Sequence, residues 1–177
     1  GWRAGPSRPA PGLPHETGHA GEDGHTVVIT PRIESFFLPG PAGRIECLLK
    51  HPGSDPSPAG GAAPAAVVCH PHPLFGGTMH NKVVHAAAEA LGGIGLPVLR
   101  FNFRGVGGSG GSHDGGRGEQ DDLRAVLDHL AGRHAGRPIL LAGYSFGAWV
   151  GLQVGCRDDR VAALVAMSAP GHSGAAS

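Results

Sequence analysis

The sequence has no excess of charge of either sign and very little lysine. Lysine plus arginine and aspartate plus glutamate each number 14 in 177 residues. A protein that neutralises nucleic-acid phosphates or adheres to an anionic membrane needs a basic surplus, so we expect neither partner and favour a small neutral ligand. Its two lysines, Lys50 and Lys82, do not follow glycine, which excludes a phosphate-binding loop ending in Gly-Lys.

Long apolar runs and a secretory signal are also lacking. No stretch of about 18 or more apolar residues occurs, and residues 1–26 do not show the charged-then-apolar order of a signal peptide. The cysteines are few, widely spaced and odd in number, which argues against a disulfide framework. They are Cys47, Cys69 and Cys156. We therefore expect a cytoplasmic protein in a reducing compartment.

The first 32 residues differ in composition from the remainder. Residues 1–26 are rich in Gly, Pro and His and poor in large apolar side chains, so burial could not offset the entropy lost on ordering them. We predict a disordered segment over 1–32, one domain over 33–170 and an irregular tail over 171–177. Because the chain opens on Gly1 rather than methionine and stops in a segment, 171–177, without a helix or strand pattern, we also expect both ends to be incomplete.

Beyond residue 32, short apolar runs alternate with helical patterns. Residues 33–38 and 44–50 flank a Pro/Gly turn and predict a hairpin. Further strands are predicted at 65–69, 97–103, 138–143 and 161–167, with helices near 79–91, 119–130 and 146–154. This alternation predicts the α/β class, with a mostly parallel sheet and helices on both faces.

The pattern G-x-S-x-G occurs at Gly143–Gly147 and again at Gly107–Gly111. In the nucleophile elbow a sharp strand-to-helix turn holds such a serine in strained geometry. Ser145 follows an apolar run and precedes a helical pattern, whereas Ser109 lies in a glycine-rich loop with no helix directly behind it. We therefore predict that Ser145 is the catalytic nucleophile; the alternative is that it only caps the helix.

A serine nucleophile that transfers acyl groups also needs N–H donors for the developing oxyanion. One should be the N–H of Phe146, directly after the nucleophile, and the other should come from the loop after an earlier strand. Residues 70–77 form such a loop after the strand at 65–69. Pro73 has no N–H and is excluded, so we favour His72, with Leu74 next.

Two further patterns are weaker. His70 and His72 after a strand suggest zinc, but Leu74 and Phe75 stand where the zinc motif of metallo-β-lactamase-like hydrolases continues with Asp and His. Residues 105–110 match G-x-G-x-x-G, but the predicted helix begins too late to receive a pyrophosphate. We predict neither a metal nor a cofactor.

Several sequence blocks together resemble small bacterial α/β-hydrolases without a lid domain, related to the dienelactone-hydrolase and serine-aminopeptidase-like branches. The blocks are 38–46, 70–77 with 79–84, 100–107, 118–123 and the elbow at 143–147. This resemblance implies an α/β-hydrolase fold and hydrolysis of small acyl esters or related bonds by a Ser–Asp–His triad without a cofactor. In such enzymes the acid and the histidine follow the next two strands.

The sequence departs from that family pattern after residue 167. Only ten residues follow Met167; none is acidic, and His172 is the one histidine after Ser145. A serine needs a base that is itself oriented by a third group. We therefore expect an incomplete hydrolase domain without its C-terminal strands, with the strand at 161–167 as an apolar sheet edge. The alternatives are a non-catalytic binding module and a substitute base at His172.

Overall fold

A computed structural model describes residues 32–53 and 63–168. The predicted disordered segment over 1–32, apart from Arg32, and the predicted tail over 171–177, including His172, lie outside the described residues. No helix in the described ranges is both long enough and apolar enough to span a membrane.

The described residues form one six-stranded sheet with helices on both of its faces. The strands are β1 (Ile33–Gly40), β2 (Gly43–Lys50), β3 (Ala65–Cys69), β4 (Val98–Phe101), β5 (Ile139–Tyr144) and β6 (Val161–Met167). The helices are α1 (Lys82–Gly93), α2 (Arg117–Arg133) and α3 (Phe146–Gly155). The order across the sheet is β1-β2-β4-β3-β5-β6. The predicted α/β class is thereby confirmed.

The first two strands form the predicted hairpin. They pair antiparallel, with Gly40 opposite Gly43, and β2 also pairs antiparallel with β4. Ile45, Cys47 and Leu49 alternate along β2 and are buried, as expected for a strand with one face on the core. Gly43 has φ of 116°, a conformation that favours glycine and closes the tight turn.

The remaining strands run parallel, and the path of the chain through them marks the point where sheets of this kind bind ligands. All five residues of β3 are buried, because helices cover both faces of the sheet at its centre. From β3 the chain moves to β4 on one side and then crosses to β5 on the other. Strand order thus reverses between β3 and β5, and ligands bind at the carboxyl ends of strands at such a point.

Helix boundaries differ from the predicted ones by a few residues. We predicted a first helix from residue 79, but α1 begins at Lys82 because the Asn81 side chain accepts the Val83 N–H and caps it. Met79 is instead buried in the preceding loop, where its N–H donates to Asn102 Oδ1. Helix α2 is longer than predicted at both ends.

Candidate active site

Ser145 occupies a strained turn between β5 and α3. Its φ of 53° and ψ of −113° make it the single non-glycine residue with positive φ in the described ranges. Its N–H donates to Met167 O (2.8 Å), and its carbonyl accepts the N–H groups of Ala148 and Trp149. The side chain is exposed and forms no capping hydrogen bond, so the alternative that Ser145 serves as a side-chain cap is wrong.

The two glycines of the elbow are required by close packing rather than by their φ angles. A Cβ atom on Gly147 would lie 2.6 Å from Cys69 O and still closer to His70 O. A Cβ on Gly143 would lie 2.5 Å from Ala148 N. The start of α3 is therefore held against the backbone at the end of β3, which brings Ser145 beside the loop that follows that strand.

The loop after β3 folds around the carbonyl of His72. That carbonyl accepts the N–H groups of Phe75 (3.1 Å) and Gly77 (3.0 Å). The Leu74 N–H donates to His72 Nδ1 (3.2 Å) and is therefore engaged within the loop. Across the described part of the chain, the N–H groups of His72 and Phe146 have no acceptor. The rings of these two residues are in contact, with centroids 4.8 Å apart.

His70 has a structural position next to this loop. It is fully buried; Nδ1 lies 2.6 Å from Pro71 O, and Nε2 accepts the N–H of Phe103 (3.0 Å). Burial lowers the pKa of His70 to about 4, so the ring is neutral at pH 7 with its proton on Nδ1. With both nitrogens engaged, His70 joins the ends of β3 and β4 and has no free nitrogen for a metal or a substrate.

A second histidine reaches the site from the long loop between β4 and α2. The His113 ring lies 4.8 Å from the His72 ring and 5.6 Å from the Phe146 ring, measured between centroids. His113 Nδ1 is 2.7 Å from Oε1 of Glu119, which is fully buried. The place of this histidine could not be predicted from the sequence, because it follows no recognisable spacing and is set only by the loop's path.

Glu119 anchors that loop. Its carboxylate accepts the N–H groups of Asp114 (3.0 Å) and Gly116 (2.8 Å). Although burial alone would raise the pKa of Glu119, these backbone donors and the neighbouring His113 lower it. The group is therefore a carboxylate at neutral pH, and the first turn of α2 holds the loop that presents His113.

Ser109 is unavailable as a nucleophile. It is 8% exposed, its Oγ donates to Asn102 O (2.7 Å), and the same atom accepts the N–H of Glu46 (2.9 Å). These bonds fasten the glycine-rich loop to β2 and to the residue after β4. Throughout the described ranges, no group of three or more His, Cys, Asp or Glu side chains is arranged to hold a metal ion.

Comparison with known proteins places this geometry in a family. Residues 62–176 match the family described as serine aminopeptidase, S33. An α/β serine hydrolase homologue from Coxiella burnetii is 44% identical, with a TM-score of 0.68 over 75% of this chain and 61% of that one. XC6422 from Xanthomonas campestris, a serine hydrolase without a lid, is 37% identical, with a TM-score of 0.66 over 77% and 71%.

The uncharacterised protein RP471 of Rickettsia prowazekii is 43% identical over 139 residues, which are 78% of this chain. The chain spans 56% of the length of that relative. The family match covers more than half of the chain and includes β3, the loop after it and the elbow. The chain therefore belongs to the serine aminopeptidase family of the α/β-hydrolases.

Proposed function

We propose that the protein is a serine hydrolase that cleaves small acyl esters or related bonds, with Ser145 as its nucleophile. The observation that carries this proposal is the strained, exposed position of Ser145. A backbone conformation of this kind costs about 1–3 kcal/mol and persists only where surrounding structure imposes it, commonly at functional sites. Here β5, α3 and the close approach of Gly147 to β3 impose it.

The oxyanion of the tetrahedral intermediate would be held by the N–H groups of Phe146 and His72. Both lack an acceptor in the described ranges, and contact between the two rings brings the two residues together. The Leu74 N–H, our second candidate, already donates to His72 Nδ1, which favours His72. A donor that is free before the reaction can stabilise the charge that develops during it.

The general base and its acid partner are not assigned by these contacts. No side chain in the described ranges hydrogen-bonds to Ser145 Oγ, and His70 has both ring nitrogens engaged. We propose that a Ser–His–acid triad operates in the full-length protein and that its histidine and acid come from outside the described residues. The substrate would be a small neutral acyl compound, and no cofactor takes part.

The direct test is labelling of the purified full-length protein with a fluorophosphonate probe, followed by peptide mapping. We expect a single modification, on Ser145, because only an activated serine displaces fluoride from such a probe. The Ser145→Ala variant should lose labelling. Ser109→Ala is the matched control, since it alters the other serine of the same five-residue pattern.

Two results would contradict the proposal. The first is a folded wild-type protein, verified by circular dichroism, that takes up no probe. The second is equal labelling of the wild type and Ser145→Ala. The first result would favour the non-catalytic binding module, in which the cleft binds a ligand without turnover. The second would show that the probe reacts with a residue other than Ser145.

A further inference from the structure

Large apolar side chains are exposed in the two segments that adjoin Ser145, the loop after β3 and the first turn of α3. Phe75, in the loop after β3, is 86% exposed, and Trp149, in the first turn of α3, is 45% exposed. Leu74 is 69% exposed next to Phe75. Single exposed apolar residues are ordinary on protein surfaces, but a contiguous set marks an interaction site.

These side chains form a continuous series of ring contacts that passes beside the nucleophile. The series runs from Phe75 to His72 (4.8 Å between centroids), from His72 to Phe146 (4.8 Å) and from Phe146 to Trp149 (6.0 Å). We call these four residues the aromatic strip. Its two central members supply the proposed oxyanion donors, and its two ends are the exposed rings.

The strip is held by the structure rather than being a set of loose side chains. A Cβ on Gly116 would overlap the ring of Trp149, so that ring lies directly on the backbone before α2. At the other end, the Phe75 N–H donates to His72 O and fixes the turn that carries the ring. His113 packs against both central rings. A preformed apolar surface binds with little loss of side-chain entropy.

We propose that the aromatic strip binds the apolar groups of the substrate, and that the substrate class is uncharged esters whose acyl group, alkyl or aryl, is larger than acetyl. This inference rests on the proposed function. A carbonyl oxygen held by the His72 and Phe146 N–H groups would place the carbonyl carbon beside the aromatic strip, next to Ser145. The two substituents on that carbon then extend over the strip toward Phe75 and toward Trp149, which makes those residues determinants of specificity.

The kinetic test compares p-nitrophenyl octanoate with p-nitrophenyl acetate as substrates of the full-length protein. The octanoyl group has six more methylenes than acetyl, and each methylene fully removed from water favours binding by about fourfold. Partial burial of these six methylenes should therefore raise kcat/KM for the octanoate ester at least tenfold over that for the acetate ester. Phe75→Ala and Trp149→Ala should each reduce that ratio about threefold or more. Ile94→Ala is the control, because Ile94 is 67% exposed directly after α1, before the amino end of β4, whereas Ser145 follows the carboxyl end of β5.

A second measurement does not depend on catalysis. In a Ser145→Ala variant that also carries Trp2→Phe, Trp149 is the remaining tryptophan of these 177 residues and reports binding by its fluorescence. We expect methyl octanoate to bind saturably, with a Kd at least tenfold below that of methyl acetate, and Phe75→Ala to weaken octanoate binding.

The two measurements separate the two proposals. If Ser145 is labelled but kcat/KM is equal for the two esters, the proposal that the aromatic strip binds the substrate is wrong, while the hydrolase proposal stands. Saturable, chain-length-dependent binding without labelling of Ser145 would overturn the hydrolase proposal and leave the strip as an apolar ligand site. A loss of preference in Ile94→Ala equal to that in Phe75→Ala would also overturn the strip.

Discussion

The same five-residue pattern, G-x-S-x-G, occurs twice in this protein, and the two serines have opposite exposure and different backbone conformations. At Gly143–Gly147 the serine has φ of 53° and an exposed side chain. At Gly107–Gly111 the serine has ordinary backbone geometry, is buried and has its Oγ in two hydrogen bonds. The first copy presents a hydroxyl to solvent at the carboxyl edge of the sheet, whereas the second uses a hydroxyl to fasten a loop.

The glycines of the two copies serve different purposes. Gly107 and Gly111 have φ of 53° and 78°, so backbone conformation requires glycine there. Gly143 and Gly147 have ordinary φ, and the reason for glycine is the backbone that a Cβ would strike. In the elbow it is therefore the serine that adopts a positive φ, at a cost in backbone strain. In the loop the glycines adopt the positive φ angles, which glycine does without such a cost. A sequence pattern does not distinguish these cases; the strand before it and the helix after it do.

The largest expected effect comes from placing a side chain on an elbow glycine. In Gly147→Ala the new Cβ would overlap the Cys69 and His70 carbonyls, and backbone atoms cannot move aside as a flexible side chain can. We expect a loss of at least about 3 kcal/mol in the free energy of unfolding, measured by urea denaturation.

The control for this change is Gly132→Ala, because Gly132 lies in α2 with nothing within 4 Å of its Cβ position. That variant should be neutral or stabilised by up to about 1 kcal/mol, since alanine favours a helix more than glycine does. If Gly147→Ala were as stable as Gly132→Ala, the close approach of α3 to β3 would not hold the elbow.

An intermediate effect is expected at the serine of the loop. Ser109→Ala removes the acceptor of the part-buried Glu46 N–H and the donor to the buried Asn102 O, leaving two backbone groups unpaired. We expect a loss of about 2 kcal/mol in urea denaturation, with labelling of Ser145 retained. The exposed Ser35→Ala should change stability by less than about 0.5 kcal/mol. Equal stability of the two variants would show that Ser109 does not fasten the loop.

Much of this contrast could be predicted from the sequence. The apolar run before Ser145 and the helical pattern after it predict a strand and a helix, and both are present. Each depends on residues adjacent in the chain, where periodicity is informative. The placement of His113 beside His72 could not be predicted, since it depends on the path of a 15-residue connection between β4 and α2.

The hydrogen bond between the Phe103 N–H and His70 could not be predicted from the sequence either. It joins residues 33 positions apart through a ring nitrogen and a backbone N–H, and no residue pattern marks such a bond. The same limit applies to the exact start of α1, where Asn81 rather than apolar periodicity decides the boundary. Local patterns thus predict elements, while contacts between distant loops decide which side chains surround the nucleophile.

The smallest expected change in stability is at the elbow serine itself, and it is a gain rather than a loss. In Ser145→Gly the missing Cβ relieves a conformation that costs about 1–3 kcal/mol, while glycine raises the entropy of the unfolded chain by about 0.5–1 kcal/mol in free energy. We expect a net stabilisation of about 1 kcal/mol, seen as a rise in Tm of about 3 °C.

Ser145→Ala is the control for that stabilisation, because alanine keeps the Cβ and therefore the strain. Both variants remove the hydroxyl, so any difference in Tm between them reports the backbone alone. If the two had the same Tm, the positive φ of Ser145 would carry no energetic cost, and the main support for a functional elbow would be lost. A higher Tm for glycine would mean that stability is sacrificed at this position in order to expose the hydroxyl.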